Sequence, residues 1–201
     1  MAALLPTLAI PDGTAPLAVA ALFPQPVREV WLEIGFGAGE HLAAQAVAHP
    51  DIGFIGAEPF ENGVAALLAR VQAENLVNVR VFADDARLLM ARLPDASVGR
   101  LFILFPDPWP KARHHKRRMV GPATLPEFAR ILKDGGELRF ASDDADYVAW
   151  VLEHAGREPA FRLDSRERGS DWPDTRYQGK AEAAGRACAL LRYTRVPRGV
   201  G

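Results

Sequence analysis

The stretch "FPDPWPKARHHKRRMV", residues 105 to 120, gathers an acid, an aromatic ring and a run of cations in one short segment. Asp107 lies between Pro106 and Pro108, which hold its carboxylate rigidly, and Trp109 offers a flat face on which a base can stack. Lys111 reaches a phosphate or a base acceptor. Arg113, Lys116, Arg117 and Arg118 supply closely spaced cations for a phosphate backbone, the sequence-independent part of nucleic-acid affinity. His114 and His115 are adjacent and so point in different directions. With no cysteine or third histidine at ligand spacing, they do not suggest a metal site. Prolines remove donors and the cations repel one another, so the segment is expected to be neither an ordinary helix nor a strand. The cations have no acidic partner nearby in sequence.

A second constellation lies in "LEIGFGAGEHL". Gly35, Gly37 and Gly39 follow an apolar run and open a helical one, where a backbone turn can approach a ligand closely. The spacing is G-x-G-x-G, one residue shorter than the dinucleotide fingerprint, and Glu33 stands two residues before the first glycine. An acid there would repel a pyrophosphate and suit a ligand with an amino group, which is the chemistry of S-adenosylmethionine. Glu58, at the tip of "FIGAE", is placed to accept two ribose hydroxyls. Asp84 and Asp85 offer carboxylates to an adenine edge, with one of the two expected to serve as a helix cap.

These residues need a scaffold that brings loop after loop to one edge. Residues 28–35, 52–58, "NVRVFADD", 98–105 and "ELRFAS" read as strands. "GEHLAAQAVAHP", "ENGVAALLARVQAEN", "ARLLMARLPD", "TLPEFARILKDGG" and "DADYVAWVLEHAG" read as the helices between and after them. Such alternation predicts an α/β fold, a parallel sheet with helices on both faces. Residues 98–105 are nearly unbroken in apolar character, as a central strand should be. Gly135 and Gly136 are expected to close the fourth of those helices, and an acid to cap the fifth. "AFRLD" and "ACALLRYTRV" suggest a final antiparallel pair. Residues 1–27, with five prolines, are expected to be an irregular lead-in on the surface of a single domain spanning 28–201.

The 201 residues, 49% hydrophobic, suffice for one well-cored domain. A net charge of −1 means that nucleic-acid affinity must come from a local patch. One cysteine, Cys188, excludes an intramolecular disulfide and is expected as core filler. No apolar stretch reaches the roughly 18 residues of a membrane span, and no secretion signal is evident, so a cytoplasmic protein is expected.

Together the glycine turn, Glu58, "FPDPWPKARHHKRR" and "TRYQGKAEAAGR" make the chain resemble the bacterial tRNA (guanine-N7-)-methyltransferase family from about residue 28 to 195. The resemblance implies a Rossmann-like class I methyltransferase fold, with a mostly parallel seven-stranded sheet and an antiparallel C-terminal strand pair. It implies S-adenosylmethionine as methyl donor, S-adenosylhomocysteine as product, and no metal. It implies cofactor contacts at Glu33, Gly35, Gly37, Gly39, Glu58, Asp85 and Asp107, with Asp107 at the methyl-transfer site. Lys111 and Asp143 would contact the substrate, and Arg113, His114, His115, Lys116, Arg117 and Arg118 would touch RNA. Thr175, Arg176, Tyr177 and Gln178 would close over a guanosine in the variable loop of tRNA. The implied partner is tRNA rather than DNA or a membrane, with no obligate protein partner, the chain being a monomer or homodimer. Two positions depart from the family pattern: Gln178 stands for the usual glutamate and Ser142 for threonine.

An exocyclic-amine methyltransferase carries a D/N-P-P-aromatic run after strand four, whereas this chain has Asp107-Pro108-Trp109-Pro110. A non-catalytic RNA-binding relative is the alternative of another class, with Gln178 in its favour and Glu33, Glu58 and Asp107 against it.

Overall fold

Strands covered on both faces lose their polar alternation. β1 (Glu29–Ile34), β2 (Ile52–Ala57) and β4 (Val98–Leu104) are accordingly buried over most of their length. The computed structural model describes residues 4–167, 169, 172, 179, 181 and 183–199. With β3 (Val79–Phe82), β5 (Leu132–Ser142), β6 (Phe161–Ser165) and β7 (Ala189–Arg195), these strands form a seven-stranded sheet in the order β3-β2-β1-β4-β5-β7-β6. The first five are parallel, and β7 runs antiparallel to both β5 and β6. The seven strands and the antiparallel C-terminal pair match expectation.

Besides a short α1 (Leu5–Leu8), further helices flank the sheet. α2 (Glu40–Ala48) and α3 (Glu61–Ala73) cover one face, where Leu42 and Leu67 pack with Trp31 and Phe102. α4 (Ala86–Met90), α5 (Leu125–Ile131) and α6 (Ala145–Arg157) cover the other, where Leu89, Phe128 and Val151 pack with Leu32 and Leu101. The two core clusters take alternate residues of the same strands, as the pleat requires. Asp144 caps α6 by accepting from the Tyr147 amide at 2.8 Å.

Three expectations are corrected. The N-terminal lead-in is part of the core: Leu8, Ile10, Leu17, Val19 and Phe23 are buried. The Ile10 amide donates to Val81 O at 2.8 Å, and Arg92 ties down Pro11 O and Ala15 O. The cause is β3, an edge strand whose open backbone groups need a cover. Gly135 and Gly136 do not close α5, because Leu132, fully buried, turns extended at once and pairs with Val98. The two glycines fall instead in an irregularity of β5, between the pairings Val98 with Leu132 and Arg100 with Glu137. Cys188 is half-buried rather than in the core. Among the described residues, no helix is long and apolar enough to cross a membrane.

Candidate active site

After β1 the chain turns through Gly35, Gly37 and Gly39 at φ values of 73°, 55° and 73°, a region that side chains bearing a Cβ rarely adopt. The three serve different ends. A Cβ on Gly35 would meet nothing within 4 Å, so the turn faces open space there. A Cβ on Gly39 would lie 2.7 Å from Leu67 Cδ1; this glycine lets α2 approach α3 and does not line the cleft. At the tip of β2, Glu58 is buried and ties the turn down. Its Oε2 accepts from the Gly37 amide at 2.9 Å and its Oε1 from the Phe60 amide at 3.1 Å. Each oxygen keeps a lone pair for a ligand hydroxyl.

Glu33 also departs from expectation. In β1 it has the parity of Trp31 and so faces α2 rather than the cleft. It is 5% exposed and its Oε2 lies 2.6 Å from His41 Nδ1, with the His41 ring edge-on to Phe102. The pair braces the first turn of α2, and Glu33 does not line the cleft.

That cleft, of about 570 Å³, opens at the carboxyl ends of the first four strands, where the order reverses between β1 and β4. A ligand crevice is expected at such a switch point. Gly35, Gly37, Glu58, Asp84, Asp85 and Asp107 all line it. Asp85 is the helix cap of the acidic pair: its Oδ1 accepts from the Arg87 amide at 2.9 Å, and the Arg87 guanidinium lies 3.1 Å from its other oxygen. Asp84 Oδ1 accepts from the Asp85 amide at 2.7 Å.

The proline segment enters the cleft through two unusual backbone positions. Phe105 donates to Ala141 O at 2.7 Å as the last ladder bond, then takes φ 52°, and Trp109 takes φ 47°. Left-handed conformations at such residues cost about 1–2 kcal/mol each and persist only where their surroundings fix them. Between these two turns Asp107 stands exposed on the cleft wall.

The family described as "Putative methyltransferase" matches residues 27–190 of the chain. The tRNA (guanine-N(7)-)-methyltransferase of Rhodospirillum rubrum is 54% identical over 183 residues, which is 88% of this chain and 72% of the relative. The chain belongs to the tRNA (guanine-N(7)-)-methyltransferase family. Among solved structures, the 16S rRNA methyltransferase KamB is similar with a TM-score of 0.65 at 18% identity, covering 85% of this chain and 89% of KamB. SMU.1697c of Streptococcus mutans, described as "a putative methyltransferase" and solved in complex with S-adenosylhomocysteine, is similar at 0.57 with 10% identity, covering 85% and 90%. These two likenesses concern the fold. The cleft suits the methyl donor of the family: the glycine turn leaves space at Gly35, and Glu58 is fixed with free lone pairs.

In this family member the basic segment is not structureless. Ala112–Arg117 form a 3-10 helix whose period of three sorts the side chains onto different faces. Arg113 and Lys116 are exposed together. His114 meets the Trp109 ring edge-on at 6.0 Å, and the Arg117 guanidinium lies 4.8 Å over the same ring, on the cleft. His115 turns inward onto Trp150, 5.2 Å away. Arg118, expected to touch RNA, is 3% exposed and is withdrawn from that surface. The acidic partner not evident in sequence is Asp146, in the first turn of α6, 2.5 Å from Arg118 and 3.7 Å from His115.

Lys111 is exposed at the head of the 3-10 helix. Asp143 lies just past β5 at the same edge, outside the cleft lining, with its Oδ2 accepting from Arg186 Nε at 2.7 Å. Thr175, Arg176, Tyr177 and Gln178 lie outside the described residues. Four residues escaped the sequence reading. Phe60 stands 70% exposed on the cleft rim, and Arg87 bridges Asp85 to the Arg117 carbonyl. Gly63 lies under the glycine turn, where a Cβ would come within 2.5 Å of Gly37 O. Arg186 is the fourth. Only Gly63 had a signal, a glycine inside the helical run "ENGVAALLARV".

Proposed function

We infer that this chain transfers a methyl group from S-adenosylmethionine to N7 of a guanosine in tRNA, leaving S-adenosylhomocysteine, and that the guanosine lies in the variable loop. One observation carries the reading: β4 delivers Asp107 into the same cleft as the glycine turn and Glu58. S-adenosylmethionine supplies a methyl group on a positively charged sulfur, an electrophile that needs no further activation.

Guanine N7 presents an in-plane lone pair and carries no proton, so no residue has to act as a general base. The task left to the chain is alignment, which is worth several powers of ten in rate. The Asp107 carboxylate stabilises the positive charge that passes to the imidazole ring, and its proline setting keeps it from reorganising. Glu58 and the glycine turn hold the donor's nucleoside. Lys111 and Asp143 engage the guanosine side, Thr175, Arg176, Tyr177 and Gln178 close over it, and exposed Arg113 and Lys116 engage the phosphates. His114 and Arg117 hold Trp109 at the entrance. The reading requires no metal and places the protein in the cytoplasm, with tRNA as its partner.

The test is transfer of labelled methyl from S-adenosylmethionine to unmodified tRNA, with nucleoside mass spectrometry of the product. Label in 7-methylguanosine is expected. Label in an exocyclic amine, or tRNA binding without transfer, would overturn the reading.

A further inference from the structure

Five observations converge on Arg118. Its side chain is 1% exposed. Its Nε donates to the Pro108 carbonyl at 2.8 Å, and its Nη2 lies 2.5 Å from Asp146 Oδ2. Its guanidinium sits 4.8 Å from the Tyr147 ring centroid and 5.2 Å from that of Trp150. The Pro108 carbonyl is the one directly after Asp107. Prolines at 106, 108 and 110 leave the loop few amide donors, so an acceptor bond is the means left for anchoring it.

We propose that Arg118 is a positioning residue for methyl transfer rather than an RNA contact: it clamps the backbone beside Asp107 onto the first turn of α6. The proposal rests on the reading of Asp107 given above. A planar guanidinium meets three kinds of partner here at once, the carbonyl, the carboxylate and the ring faces, and lysine's point charge meets only one of them well. The clamp also explains how Phe105 and Trp109 hold left-handed backbone at either end of the acid.

The experiment compares wild type with Arg118→Lys, Asp146→Ala and the double variant, reading melting temperature, tRNA affinity against salt, and the single-turnover methylation rate at saturating tRNA and donor. Wild-type transfer is the control for the underlying reading; its absence would sink that reading rather than the clamp. Arg118→Lys is expected to keep tRNA affinity within about twofold and the salt slope unchanged. Its single-turnover rate should fall on the order of 10–100-fold, the scale of a small misplacement near the chemistry. The double variant should be no worse than Arg118→Lys alone, because both remove one clamp. Weakened tRNA binding with a flattened salt slope and a wild-type saturated rate would overturn the proposal. Should Arg118→Lys fail to fold, Asp146→Ala decides alone, since that side chain is 68% exposed and tolerates exchange. A wild-type saturated rate in Asp146→Ala would then count against the clamp.

Discussion

The Glu58 carboxylate accepts a hydrogen bond from the Gly37 amide at 2.9 Å, joining the tip of β2 to the turn that follows β1. Glu58 thus shapes the cleft as well as lining it. Glu58→Ala removes two backbone bonds, to Gly37 and Phe60, together with the ligand acceptors. Hydrogen bonds to a charged group are worth about 1.5–3 kcal/mol. The KM for S-adenosylmethionine should rise roughly 10–150-fold, with tRNA affinity unchanged. A donor titration of the methylation rate checks this.

Gly63 tests how tightly the cradle is built. In an exposed helix, alanine for glycine stabilises by about 0.5–1 kcal/mol. Here the new Cβ would lie 2.5 Å from Gly37 O and 3.0 Å from Glu58 Cγ, and the first of these is backbone. Overpacking of this kind costs about 1–3 kcal/mol, so the sign should reverse. Gly63→Ala is expected to lower the melting temperature by some 2–12 °C at roughly 2–4 °C per kcal/mol for a chain this size. Donor affinity should fall with it. A melt with and without S-adenosylmethionine separates the two effects.

Particular residues show how far the sequence can be read. The strands were legible because β1, β2 and β4 are buried over most of their length on both faces and their residues are mostly apolar, with Glu29, Glu33 and Arg100 as the exceptions. The cleft residues followed from placing the acids and glycines at strand ends. Arg118 was illegible, because its burial depends on Asp146 and Trp150, which lie 28 and 32 residues away and reach it only through the fold. Glu33 was misplaced because strand parity, not distance along the chain, decides which face a residue serves. The place of β7 between β5 and β6 likewise rests on pairings with no local signal.

The clamp has an acid limit. The Arg118 hydrogen bond holds the Asp146 carboxyl below its ordinary value of 3.8, with the guanidinium charge and His115 adding to the effect. A depressed folded pKa gives stability that is present above the unfolded value and lost as pH falls through the lower folded one. The difference in melting temperature between wild type and Asp146→Asn should therefore be constant from neutrality to about pH 4 and shrink below it. A difference that persisted undiminished at lower pH would mean that the pair is not charged as described.

At alkaline pH the sign reverses. Burial pushes the Tyr147 hydroxyl up to about 12 from 10.0, although the Val120 amide and Arg118 both favour its ionised form. Burial does the same to Tyr193. A raised folded pKa gives stability that is present below the unfolded value of 10.0 and lost as pH rises through 12. For Tyr147 this amounts to on the order of 3 kcal/mol. Tyr147 and Tyr193 should resist ionisation near pH 10 in an absorbance titration, then ionise together as the chain unfolds. Tyr147→Phe should remove one of the resistant pair.

Asp143 and Arg186 pose a sharper question, because their 2.7 Å contact sits just past β5 at the carboxyl edge of the sheet yet is partly open to solvent, with side chains 26% and 56% exposed. Exposed pairs contribute about 0–1 kcal/mol to stability, so a structural role alone would leave little to lose. The carboxylate is also a candidate acceptor for the guanosine, and Arg186 fixes where it points. Arg186→Gln should change the melting temperature by no more than a few degrees but lower kcat/KM for tRNA about tenfold. Asp143→Asn should do the same. Because each acts through the other, the double variant should lose no more than either single one. Additive losses would mean that the two side chains meet the RNA separately and that their mutual contact gives way when tRNA binds.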